Sequence, residues 1–107
     1  DFSYFQIDLI DGFAFISGFR IEKSPSFKLK DYKIIGTDDK SKDIEYWITL
    51  HEVHETKEED EEELMFTYKF NQTSPPVKCI RLVQTSPGWD NTNKISFYHF
   101  DIFGTYI

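Results

Sequence analysis

Two runs near the C-terminus decide the fold: Val77-Lys78-Cys79-Ile80-Arg81-Leu82-Val83 and Ile95-Ser96-Phe97-Tyr98-His99-Phe100-Asp101-Ile102-Phe103. β-Branched and aromatic residues dominate both, and these favour a pleated, half-buried surface. Pro75-Pro76 and Ser86-Pro87-Gly88 bound the first run, and Gly104 closes the second. Alternation sends Ile80 and Leu82 one way and Arg81 the other. The reading is a terminal hairpin that brings Ile80 and Leu82 inward beside Phe100 and Ile102, with a polar loop around Trp89 between its arms.

Upstream the same signals repeat. In Phe2–Ile10, Phe5, Ile7 and Leu9 share one face and Gln6 and Asp8 the other, the period of a strand with one wet side. Asp11-Gly12 is a turn. Phe13–Glu22 is a second strand with Phe15, Ser17, Phe19 and Ile21 on one face; Gly18 inside it predicts a bulge or a close backbone approach. Lys23-Ser24-Pro25-Ser26 breaks the pattern. Phe27, Leu29 and Tyr32–Ile35 form an extended run ending at Gly36, and Thr37–Asp43 is a polar loop. Ile44–Val53 resumes β character through Tyr46, Trp47, Ile48 and Leu50. Leu64–Phe70 alternates Leu64, Phe66, Tyr68 and Phe70 against Met65, Thr67 and Lys69. Seven or so short strands with no convincing helix make an all-β, antiparallel sandwich or barrel. Aromatics are 18% of the chain, bulk that suits the gap between two sheets.

The 107 residues make one domain, 1–107. The formal net charge of −7 repels nucleic-acid phosphates and anionic lipid heads, so neither is an expected partner. No run reaches the roughly 20 apolar residues of a spanning helix, so no membrane insertion is expected. Much of the acidity lies in Glu55–Glu63; the one helix-permissive stretch, Glu55–Met65, is read as a solvated loop or a single turn because neighbouring like charges weaken a helix. Cys79 is the single cysteine, read as a small buried apolar residue. Its isolation favours a reducing, intracellular compartment. Against that stands Asn71-Gln72-Thr73, a glycosylation acceptor pattern that also fits an ordinary polar turn. The chain opens at Asp1 without Met and is read as a processed or excised piece.

Catalytic motifs are missing. His51-Glu52-Val53-His54 lacks the four-residue spacing that puts two zinc ligands on one helical face. On a strand these histidines face opposite ways, and a surface pair beside an acidic loop is the expected arrangement. No nucleophile elbow, phosphate loop or dinucleotide fingerprint occurs, so no catalytic residue and no cofactor is assigned. No metal site is assigned either; Ca²⁺ at Glu58–Glu63 or at Asp38-Asp39 is the alternative that those carboxylates leave open.

Leu29-Lys30-Asp31-Tyr32-Lys33-Ile34-Ile35-Gly36-Thr37-Asp38-Asp39, a Trp47 three residues before Leu50, Cys79-Ile80-Arg81-Leu82-Val83-Gln84-Thr85-Ser86-Pro87-Gly88-Trp89-Asp90-Asn91-Thr92-Asn93 and the closing Phe100-Asp101-Ile102-Phe103-Gly104 together resemble the discoidin domain. This is the coagulation factor 5/8 type C domain, a galactose-binding-like jelly roll, and the similarity is closest to the intracellular branch joined to BTB proteins. The resemblance runs over most of the chain as scattered positions. It implies a sandwich without the first strands of the full domain, which leaves a sheet edge at Phe2–Leu9 exposed. It also implies that ligands meet end loops, here Ser24–Phe27, Asp38–Asp43 and Pro87–Asn93. Candidate ligand-binding residues are Trp89 for stacking, Asp90, Asn91 and Asn93 for hydrogen bonds, and Asp38 and Asp39. Trp89 has a competing structural reading, a lid over the sandwich end whose indole N–H finds a carbonyl. The leading functional expectation is a non-enzymatic module that binds a protein partner or its host protein's other domains. The alternative is a carbohydrate-binding module using the loops around Trp89, and a jelly-roll hydrolase is a third reading.

Overall fold

The computed structural model describes residues 3–24, 29–55, 65–92 and 95–107. The strands are β1 (Tyr4–Asp8), β2 (Ala14–Lys23), β3 (Asp31–Thr37), β4 (Ile48–His54), β5 (Met65–Lys69), β6 (Cys79–Gln84) and β7 (Phe97–Tyr106). They form two antiparallel sheets, ordered β1-β6-β3-β4 and β5-β2-β7. The fold is therefore an all-β sandwich. β6 and β7 lie in different sheets, so the expected terminal hairpin does not form; the chain between them crosses from one sheet to the other. The inward set is nonetheless as expected. Ile80 and Leu82 are buried, and Phe100 and Ile102 pack against the same core from across the gap.

Aromatic rings pack along the three-stranded sheet and across the gap to the other layer. Phe19 stacks on Tyr68 with centroids 4.7 Å apart and on Phe100 at 5.4 Å. Phe5 meets Phe97 edge-on at 5.0 Å. Offset and edge-on pairs of this kind add to the simple burial of ring area. β5 alternates as its sequence predicts, with Phe66 and Tyr68 packed on the core and Met65, Thr67 and Lys69 exposed.

β2 departs from its expected face. Ile16 opposes Gly104 and Gly18 opposes Phe103, so Ser17 is an extra residue without an opposite number. A bulge of this kind reverses the alternation. Ala14 and Ile16 point inward before it, Phe19 and Ile21 after it, and Ser17 lies in solvent. Gly18 also meets its second expectation, since a Cβ there would sit 2.4 Å from the Tyr68 carbonyl oxygen. The strand continues to Lys23, beyond the expected break, and buries that residue. The Lys23 Nζ lies 4.0 Å from the Phe66 ring centroid and 3.6 Å from Glu55 Oε1. Glu55 is thus tied to the sandwich; Glu58–Glu63 fall outside the described residues.

Ile44–Tyr46 form a short 3-10 turn in place of the expected start of β4. The turn lays Trp47 against the outer face of the four-stranded sheet, on Ile35 and Cys79. The Trp47 indole N–H donates to the Lys42 carbonyl at 3.1 Å. The carbonyl partner expected for the Trp89 indole is found instead at Trp47, on a sheet face and not over the sandwich end.

Candidate functional site

Four places on the described surface carry enough geometry to be weighed. The first is the end of the sandwich where β3 begins. The Ser86 hydroxyl donates to Asp31 Oδ2 at 2.6 Å, and Asp31 Oδ1 lies 3.0 Å from His54 Nδ1. Hydrogen bonds from Ser86 and then from His54 hold the Asp31 carboxyl below its ordinary value. Asp31, followed by Glu52, raises the His54 imidazole. The order of the chain matters chemically. The serine bonds to the aspartate and no imidazole reaches its hydroxyl, so the group is a latch and not a nucleophilic triad.

This latch carries the loop with Trp89. Gly88 N–H donates to the Thr92 carbonyl and Asn91 N–H to the Gly88 carbonyl, both at 2.9 Å. Asn91 adopts φ 61°, a left-handed conformation that Asn tolerates. The Asp90 Oδ1 accepts from the Thr92 N–H and hydroxyl at 3.2 and 2.7 Å, so that oxygen shapes the turn. Trp89 is half-buried, with the Lys30 ammonium 5.0 Å from its ring centroid. Among the described residues its indole N–H has no hydrogen-bond acceptor. Asn93 lies outside the described residues, as do 25–27 of the Ser24–Phe27 loop.

Asp38 and Asp39 lie at the other end. β3 separates them from Asp31, a run of roughly 20 Å at strand rise. They therefore share no pocket with Trp89. Asp38 pairs with Lys42 at 2.9 Å. Asp39 Oδ1 accepts from the Ser41 hydroxyl and N–H, which lowers the Asp39 carboxyl. With Asp8, Lys40, Lys78 and Cys79 they border a cleft of about 500 Å³. The Cys79 thiol donates to Asp8 Oδ1 at 3.0 Å, and burial, followed by that hydrogen bond, pushes it up to about 12. A thiol so placed is inert as a nucleophile. Among the described residues no three His, Cys, Asp or Glu side chains converge on a metal position.

The other two places are the sides of the sandwich. β1 and β7 are edge strands on one side, β4 and β5 on the other. Between β1 and β7 the sheets part over an apolar cleft of about 270 Å³, lined by Ile7, Leu9, Ile16, Ile80, Ile102 and Tyr106 among others. Ile10 is 95% exposed nearby and Ile107 64%. The exposed edge expected at Phe2–Leu9 is this side.

On the β4 side a polar cleft of about 670 Å³ separates Ile48–Glu52 from Asn71–Pro75. Phe70 N–H donates to Ser17 O and Ser74 N–H to Ile16 O, so the β2 bulge anchors both ends of the Asn71–Thr73 loop. His51 turns inward and stacks on Phe70 at 5.3 Å, while His54 turns outward. The opposite facing is as expected, but the surface pair is not: His51 is a half-buried member of the aromatic layer. Sequence reasoning missed this cleft because it forms only where edge strand β4 meets a loop distant in the chain.

No protein-family model matches the chain, and no curated protein matches it. What fold and clefts define is an antiparallel β-sandwich without a catalytic constellation among the described residues. Its fold is similar to that of a solved structure, SusE-like protein BT2857, with a TM-score of 0.75 and 19% identity. The likeness covers 97% of this chain and 47% of that one, so the chain spans about half the length of the protein it matches.

Proposed function

We propose that the chain is a discoidin-like binding module without catalytic activity, working through protein–protein contact as one part of a larger protein or assembly. The observation that carries this is the apolar cleft between β1 and β7. A sandwich core reached from the side is stabilised when a partner covers it, at about 25 cal/mol per Å² of apolar surface removed from water. Among the described residues β1 pairs with β6 alone, so its outer edge is open to strand addition there. The longer chain of the matched structure supports a role as one part of a larger protein. The single cysteine, kept as an inert thiol, supports an intracellular setting.

The test is a photo-crosslinking residue placed at Tyr106 in the intact host protein, with Thr67 on the outer face of the three-stranded sheet as control. Crosslinks to polypeptide from position 106 and not from 67 are expected. Equal yields at the two positions, or none at 106, would overturn the reading.

A second reading, carbohydrate binding, is favoured by one observation. The Asn71, Gln72 and Thr73 side chains are exposed beside the polar cleft and have no hydrogen-bond partner among the described residues. Amides and hydroxyls in this state suit a polyhydroxylated ligand. Trp89 and Asn91 form the competing sugar platform at the sandwich end.

A further inference from the structure

His51 is the unexplained group on the β4 side. Its ring contacts Phe70, Tyr68 and Phe19 at 5.3, 5.8 and 5.9 Å between centroids, so packing fixes its orientation. Neither ring nitrogen has a hydrogen-bond partner among the described residues, although the ring is half-buried and borders the cleft. Burial holds its pKa below the ordinary histidine value, so at neutral pH the ring carries one donor and one acceptor. A polar group in this state is held by solvent or by a ligand.

Around it stand groups of matching chemistry. Thr49 and Thr73 bring hydroxyls, and Asn71 and Gln72 amides, at the border of the same space; Glu52 also borders it, but its carboxylate lies 3.4 Å from His54 Nε2 on the outward face of β4. The volume falls within the range of small-molecule sites. An added β-strand is a poor occupant. The β3–β4 ladder slips between Ile34 opposite His51 and Ile35 opposite Thr49, which leaves Leu50 as a bulge in the middle of the edge. Bulges on edge strands disfavour pairing with another strand. Charged ligands have no strong partner here, since Glu52 is the only ionised side chain that borders the cleft among the described residues.

We propose that the cleft between β4 and Asn71–Pro75 is a subsite for a vicinal diol of a neutral sugar, with His51 as its oriented polar anchor. One hydroxyl donates to the unprotonated ring nitrogen, and the N–H of the ring or the Asn71 amide donates to its neighbour. This assignment rests on the carbohydrate reading and moves the site away from Trp89.

The experiment is an NMR amide titration of the 107-residue chain with neutral hexoses and their N-acetyl derivatives, repeated on three variants. His51→Phe keeps the aromatic layer and removes both nitrogens; Asn71→Ala and Trp89→Ala alter exposed or half-exposed positions. Saturable shifts confined to 48–52 and 70–75 are expected, with affinity about tenfold lower in His51→Phe. Asn71→Ala should also weaken binding, and Trp89→Ala should leave it unchanged. Shifts at 86–92 that vanish in Trp89→Ala would overturn the site and leave the carbohydrate reading standing. Shifts at the cleft with unchanged affinity in His51→Phe would overturn the anchor. Absence of any saturable shift would overturn both.

Discussion

Ser17 has no opposite number on β7, and that single residue decides which half of β2 faces the core. Strict alternation puts Phe15 and Ser17 inside, whereas the bulge puts Ala14 and Ile16 there. Gly18 signals the bulge in the sequence, but a glycine does not say how the alternation shifts around it. Gly18→Ala should destabilise the domain by about 1–3 kcal/mol through overpacking on the Tyr68 carbonyl, measured by urea unfolding; an unchanged midpoint would contradict the close approach. The histidines make a second residue-scale prediction. His51 is lowered from 6.5 by burial, so the unfolded state binds more protons just below 6.5, and stability rises with pH towards that value. His54 is raised from 6.5 by Asp31 and Glu52, so its contribution is complete below 6.5 and is lost as pH rises through its folded pKa. Together the two favour a stability maximum near pH 6.5. His54→Gln should remove the decline above that pH, and His51→Phe the rise below it, in chemical unfolding followed from pH 5 to 8.

At the scale of elements, the four-stranded sheet is tied across its outer face by Arg81. Its guanidinium carbon lies 3.9 Å from the Tyr4 ring centroid and 4.8 Å from that of Trp47. Arg81 Nε donates to Gln6 Oε1, so edge strand β1 and the Trp47 turn are held through one side chain. Two cation–π contacts, one to the exposed Tyr4 and one to the buried Trp47, make Arg81→Ala cost about 1–2 kcal/mol, and a double-mutant cycle with Tyr4→Ala should show coupling. On the inner face Leu82→Ala should cost about 2–5 kcal/mol, since the site is closed on all sides, while His99→Ala on an exposed stretch of β7 should be near neutral. Strand existence was legible here because β1, β5 and β6 alternate cleanly. Which strands pair was not. Ile80 and Leu82 point inward whether β6 neighbours β7 or faces it, so a hairpin and a crossover leave the same hydrophobic pattern. The Trp47 turn was hidden for a related reason, since Tyr46-Trp47-Ile48 has the composition of a strand.

For the whole molecule, two sheets with unequal sides explain why the candidate site was only partly readable. In the loop around Trp89, Asp90 and Asn91, expected as ligand contacts, shape the turn itself. Asp38 and Asp39 are drawn to the opposite end by the length of β3, a separation that loop composition does not encode. The clefts at β1–β7 and β4–β5 come from sheet order and have no local signature. Cover over β1–β7 is the central claim, and hydrogen–deuterium exchange reads it most directly by comparing the isolated 107-residue chain with the same residues in the intact host assembly. The account predicts slowed exchange in Tyr4–Asp8 and in the Phe103–Tyr106 part of β7, with β4 and β5 unchanged. Equal exchange of β1 and β7 in the two states, or protection that falls on β4 instead, would contradict it.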